Sequence, residues 1–119
     1  MQSLQREPRM VLIGEATDES FEREVLQSPI PVLVDFWAPW CRPCRVVAVA
    51  LEWIAAAFSG RAKVVRVNTD LNRRLAERFN IRGLPTIMVF VKGQVQNSAM
   101  GVRPPEEYAR YLQQAFSAP

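Results

Sequence analysis

The stretch Val32-Leu33-Val34-Asp35-Phe36-Trp37-Ala38-Pro39-Trp40-Cys41-Arg42-Pro43-Cys44 decides how this chain of 119 residues folds. Its first half is apolar at odd and even positions alike, with Asp35 the one exception. A strand with one wet face alternates, whereas a strand covered on both faces of a mainly parallel sheet reads as a continuous apolar run. Val32 to Trp37 is therefore expected at the centre of a sheet. From Pro43 the period changes. Val46, Val47, Ala50, Leu51, Ile54, Ala57 and Phe58 recur at spacings of three and four until Gly60 stops the run. Strand, short loop and long amphipathic helix follow one another, and Cys41 and Cys44 stand where the helix begins.

Upstream, residues 1–9 show no periodicity and read as a flexible leader, so a single domain is expected over residues 10–119, with Met1 and Met10 both open as the start. Met10 to Ile13 reads as a short strand. Thr17 or Asp18 suits a helix N-cap ahead of Phe21, Val25 and Leu26, and Ser28-Pro29-Ile30-Pro31 stops that helix. Downstream, Ala62 to Val67 is a β-branched strand, and Asp70 to Phe79 a helix with Leu71, Leu75 and Phe79 inward. Pro85 to Val91 is a further strand. Lys92-Gly93 turns it into Gln94 to Met100, and Pro104 to Phe116 closes the chain as a helix burying Tyr108, Tyr111, Leu112 and Phe116. Strands alternating with helices, then a hairpin, make an α/β layout. Ligand sites in such sheets gather beyond the carboxyl ends of the strands, which is where Cys41 lies.

Composition narrows the function. Apolar residues make up 49% and charged residues 23%, enough for a core and too little charge for a disordered chain. Apolar runs such as Val46 to Leu51 fall far short of the roughly 18 residues that a membrane span needs. The N-terminus lacks the apolar core of a secretory signal, so a cytoplasmic address is expected. Net charge is +3, and thirteen of the fifteen basic side chains are arginine. They are scattered from Arg6 to Arg110, which fits a solvated surface better than the concentrated stripe of a nucleic-acid domain. There is no histidine. That excludes a Ser-His-Asp triad, a Cys-His pair and every imidazole metal site.

Cys41 and Cys44 are the only cysteines. Redox chemistry, a metal site shared with a second chain and an inert pair are all compatible with C-x-x-C, redox being the usual use without a secretory signal. At a helix start the two side chains share one face, within reach of a disulfide. The free N–H groups and positive end of the helix favour a thiolate at Cys41, the attacking sulfur, and leave the deeper Cys44 to resolve a mixed disulfide.

Val34 to Cys44 resembles the active-site segment of thioredoxins, and Asp70, Gly83-Leu84-Pro85-Thr86, Lys92-Gly93 and Gly101 recur at that family's spacing. The resemblance runs from about Met10 to Phe116. It implies the thioredoxin fold, a five-stranded mixed sheet flanked by four helices, with no cofactor and no metal. It implies exchange with disulfide-containing protein substrates, a thioredoxin-reductase-type electron donor, and a monomer. By the same resemblance Asp35 lies behind Cys44 and helps take its proton, and Leu84-Pro85 is a cis bond. Trp37 flanks the cysteines from the core side. Trp40, Arg42, Pro43, Gly83, Leu84, Pro85 and Gly101 line the substrate shelf, with Met100 and Val102 beside them.

Three positions depart from the family pattern. Arg66 stands where thioredoxins place a lysine near the aspartate. Burial is expected to raise the Asp35 pKa toward neutrality, but a guanidinium that never deprotonates is expected to hold Asp35 more firmly ionised, and so a weaker base, than in a lysine-bearing relative. Arg42 replaces glycine between the cysteines. At roughly 7 Å from a Cys41 thiolate its charge is worth about 0.6 to 2.4 kcal/mol, depending on solvation. That raises the reduction potential by roughly 13 to 50 mV. Val49 replaces a kinking proline, so a straighter helix is expected. A protein-disulfide reductase is the leading reading. An oxidase or isomerase of the same fold and a non-catalytic binding or chaperone module remain open.

Overall fold

The computed structural model describes residues 12–117. The leader at residues 1–9, and Met10 and Val11 of the expected first strand, lie outside the described residues. Five strands form one mixed sheet in the order β1-β3-β2-β4-β5. They are β1 (Ile13–Glu15), β2 (Val32–Trp37), β3 (Lys63–Asn68), β4 (Thr86–Val91) and β5 (Gln94–Met100). β3 runs parallel to both β1 and β2, whereas β4 is antiparallel to β2 and β5. The apolar run of β2 therefore sits at the centre. Val32 to Phe36 are buried on both faces, as the absence of alternation predicts.

Four helical elements cover the two faces. A π-helical turn (Glu22–Leu26) and α2 (Arg73–Arg78) pack on one face; α1 (Arg42–Ala57) and α3 (Pro105–Ser117) pack on the other. The first cluster gathers Phe21, Val25, Val34, Phe36, Val67, Leu75 and Phe90. The second gathers Leu33, Val47, Leu51, Ile54, Val64, Ile87, Tyr108 and Leu112. Since neighbours in a strand point to opposite faces, Asp35 and Trp37 share the α1 face with Leu33. That puts a carboxylate into the layer between sheet and α1.

Several expected elements are corrected. The first strand lies later, at Ile13–Glu15, where it pairs with Val64 to Arg66. The helix after it is one wide turn, with the Gln27 N–H donating to the Glu22 carbonyl at 2.9 Å. Its N-cap is Phe21, without a side-chain hydrogen bond, and the expected cap Thr17 instead closes the preceding turn, its hydroxyl oxygen accepting from the Ser20 N–H. Asp18 serves a different helix, its carboxylate accepting from the Leu75 N–H at 3.0 Å while its own N–H donates to Asn72. α2 accordingly starts only at Arg73, and Leu71, expected inward, is 77% exposed in the preceding turn. On α1, Val46 and Ala57 also face outward, and Cys44 and Ala55 take inner positions instead. Lys92 and Gly93, both at positive φ, make the two-residue hairpin turn.

Candidate active site

β2 ends at Trp37, and Ala38-Pro39-Trp40 carries the chain to the helix. The Cys41 N–H donates back to the Ala38 carbonyl at 3.1 Å, closing this turn. Cys41 is the N-cap of α1, with extended backbone angles, and its Sγ accepts the Cys44 N–H at 3.2 Å. Pro43 occupies the first turn, where a missing N–H leaves no gap in the helix ladder. Cys41 and Cys44 are joined in a disulfide, their Cα atoms 5.4 Å apart. Cys41 keeps 4% of its surface in solvent and Cys44 1%, so the outer sulfur is the one at the helix tip. α1 continues unbroken through Val49 to Ala57.

Behind the pair, Asp35 is fully buried, and Oδ2 accepts from Arg66 Nε at 2.9 Å. Register explains this pairing: Asp35 lies directly opposite Arg66 across the parallel β2–β3 ladder. The Arg66 guanidinium also sits 4.2 Å from the Trp37 ring centre, so it is held between a carboxylate and an aromatic face. Oδ1 of Asp35 is buried and has no hydrogen-bond partner among the described residues. Burial pushes the Asp35 carboxyl up to about 6 despite the opposing charge and hydrogen bond of Arg66. Desolvation thus outweighs the ion pair, and the rise toward neutrality expected of a buried carboxylate is what the environment delivers, with Arg66 opposing it.

The loop before β4 brings the remaining shelf residues together. Leu84-Pro85 is cis. The Pro85 carbonyl accepts from the Gly101 N–H at 2.8 Å, and the Thr86 hydroxyl donates to the Gly83 carbonyl at 2.7 Å. Gly83 packs closely on Met100, whose Sδ would stand 2.7 Å from a Cβ at this position. Phe36 pairs with Thr86, so this loop and the turn leading to Cys41 leave the same end of the sheet. Trp40, 68% exposed, bridges them: with Gly83, Leu84, Arg73 and Arg82 it lines a groove of about 850 Å³. Arg42 and Pro43 are exposed at the helix tip.

A family model described as thioredoxin matches residues 12–114. The chain belongs to the thioredoxin family. Thioredoxin 1 of Synechococcus elongatus is 48% identical over 103 residues, covering 87% of this chain and 96% of the relative. Thioredoxin 1 of Nostoc sp. is 45% identical over 104 residues, covering 87% and 97%. An M-type chloroplastic thioredoxin of Chlamydomonas reinhardtii is 44% identical over 91 residues, covering 76% and 65%. Membership of the thioredoxin family, with a bonded Cys-x-x-Cys pair at a helix tip, makes the chain a protein dithiol–disulfide oxidoreductase. No helix among the described residues is long and apolar enough to cross a membrane.

Two further contributors to the thioredoxin site were not among the expected site residues. Asp70 Oδ1 accepts from Trp40 Nε1 at 3.2 Å and so orients the exposed indole. Thr69 donates both its N–H and its hydroxyl to the Trp37 carbonyl, at 2.9 and 3.1 Å, fixing the end of β2. Asp70 recurs at family spacing; Thr69 carries no signal of its own.

Proposed function

We propose that this chain reduces protein disulfides, with Cys41 as nucleophile and Cys44 as resolving thiol. The observation that carries the assignment is the helix-tip placement of Cys41, whose sulfur already accepts a backbone N–H of the first turn. Negative charge on that sulfur is stabilised by the N–H and by the positive end of a 16-residue helix. In the dithiol state a Cys41 thiolate attacks one sulfur of a substrate disulfide, expelling the other as a thiolate and leaving a mixed disulfide. Cys44 then loses its proton and attacks Cys41 Sγ, releasing the second substrate thiolate. Two electrons pass to the substrate and the Cys41–Cys44 bond is regenerated.

Asp35 is the proton acceptor for Cys44 in this scheme. It lies in the layer that Cys44 faces, its Oδ1 is unengaged, and a value of about 6 leaves it ionised near neutral pH yet basic enough to take a proton. Arg66 is a positioning residue that fixes Oδ2. Trp40, Arg42, Pro43, Gly83, Leu84, Pro85 and Gly101 form the shelf for an extended substrate segment. A thioredoxin-reductase-type donor restores the dithiol, and the compartment is the cytoplasm.

The reduction potential tests the direction of exchange, read by tryptophan fluorescence in thiol–disulfide buffers. A value from about −280 to −240 mV, around the family reference of about −270 mV, supports a reductant; one above about −200 mV overturns it in favour of an isomerase or oxidase. Full biological activity in a chain with both cysteines replaced by serine would point instead to a binding module.

A further inference from the structure

The outward face of α1 is apolar where a solvated helix is normally charged. Val46, Val49 and Trp53 are 61%, 60% and 76% exposed, and Ala56 and Ala57 are exposed beside them. Arg42, Arg45 and Glu52 are the charged residues on this face. Contiguous exposed apolar patches mark contact surfaces. Arg42 and Arg45 also stand at the positive end of the helix, where cations are disfavoured. Neither they nor Glu52 has an ion-pair partner among the described residues.

We propose that a second copy of this chain covers the stripe, α1 packing antiparallel on α1 about a two-fold axis at Val49. At about 100° per residue, Trp53 and Val46 fall on one flank of Val49, at roughly 40° and 60°. Arg45 and Glu52 fall on the other, at roughly 40° and 60° in the opposite sense. Val46 and Glu52 each lie three residues from Val49, and Arg45 and Trp53 each lie four. A two-fold rotation therefore sets each Trp53 on the other copy's Val46 along one flank. Along the opposite flank it sets each Glu52 against the other copy's Arg45. Val49 meets itself on the axis, and Arg42 passes over the small Ala56 and Ala57. Apolar meets apolar and each unpaired charge meets its opposite, the self-complementarity that an isologous contact demands. The first basic turn of each helix gains a carboxylate from its neighbour.

The contact belongs to the small interface class, below about 1,200 Å² in total. The dimer is accordingly weak, and dilute solution holds the monomer that the family resemblance implies. Cys41 lies at each end of the seam rather than inside it, and the association does not depend on the redox reading.

Sedimentation equilibrium of the full chain from about 10 µM to about 1 mM tests the proposal. The expected result is a concentration-dependent dimer whose dissociation constant rises at least tenfold in Trp53→Glu. Arg45→Glu and Glu52→Arg each weaken it several-fold at low salt, and the double variant Arg45→Glu with Glu52→Arg recovers the parent affinity. All three positions are exposed, so folding is preserved. A chain monomeric throughout overturns the proposal, as does a dimer indifferent to Trp53→Glu or a double variant no better than the singles. In a monomer, iodide quenching compared with a Trp53→Phe variant then tells whether residues 1–11 or another protein covers the stripe.

Discussion

Replacing Asp35 by asparagine should stabilise the oxidised protein at alkaline pH and leave it unchanged in acid. Asp35 is fully buried, and its carboxyl is raised from the ordinary 3.8 to about 6, first by desolvation, with Arg66 opposing. Between those two values the folded chain holds a proton that the unfolded chain has released. Stability therefore falls as pH rises through this window, the reverse of an ordinary salt-bridged carboxylate. The stabilising contribution is present below about pH 4 and lost above about pH 6. At about 1.4 kcal/mol per pH unit, the gap from 3.8 to about 6 comes to about 3 kcal/mol. Asparagine never ionises and removes that cost. The attraction of Arg66 is already contained in that gap, because its charge and hydrogen bond oppose the rise. The net gain should be about 3 kcal/mol at pH 8, against a total stability of about 5 to 15 kcal/mol for such a domain. Guanidinium unfolding of the oxidised pair at pH 4, 6 and 8 reads this directly, as a higher midpoint with an unchanged slope. A variant no more stable than its parent at pH 8 would refute the reasoning, as would a gain of the same size at pH 4.

Three further outcomes are expected. Arg42→Gly should lower the reduction potential by roughly 13 to 50 mV, since losing the cation destabilises the thiolate and with it the dithiol form; an unchanged potential in glutathione buffers would show that Arg42 does not reach the sulfur. Cys44→Ser should accumulate a covalent mixed disulfide with substrate, visible on non-reducing gels and absent from Cys41→Ser, and the opposite pattern would exchange the two roles. Asp18→Ala should cost about 1 kcal/mol, because the carboxylate caps the start of α2 at the Leu75 N–H, and a thermal midpoint within a degree of the parent would argue against that cap.

Legibility of the fold followed how local each signal was. β2 could be read because burial on both faces removes alternation, a property of six consecutive residues. Leu71 could not, because spacing alone joins it to Leu75 and Phe79, while the true start of α2 is set by Asp18 and Asn72, which are 54 residues apart in sequence. The same limit hid the outer face of α1. Val46 and Ala57 match the period of a buried stripe as well as Val47 and Ile54 do, and periodicity cannot distinguish a core from an exposed apolar flank when a helix has both.

The site divides along the same line. Cys41, Cys44 and Pro43 lie within one helical turn, so their geometry is helix geometry and was available from four adjacent residues. Asp35 was visible as a carboxylate amid apolar neighbours, but the balance of forces on it was not. Sequence indicated that burial would raise the carboxyl toward neutrality and that an always-charged Arg66 would oppose the rise, but not where the two would settle. Only the three-dimensional arrangement shows that it supplies one hydrogen bond to Oδ2, leaves Oδ1 without a partner and keeps part of its own charge in solvent. An ion pair that satisfies half of a buried carboxylate repays only part of its desolvation. The result is a group poised near pH 6. That incomplete pairing, which would be a defect in a purely structural aspartate, is what would suit Asp35 to its proposed role as proton acceptor for Cys44.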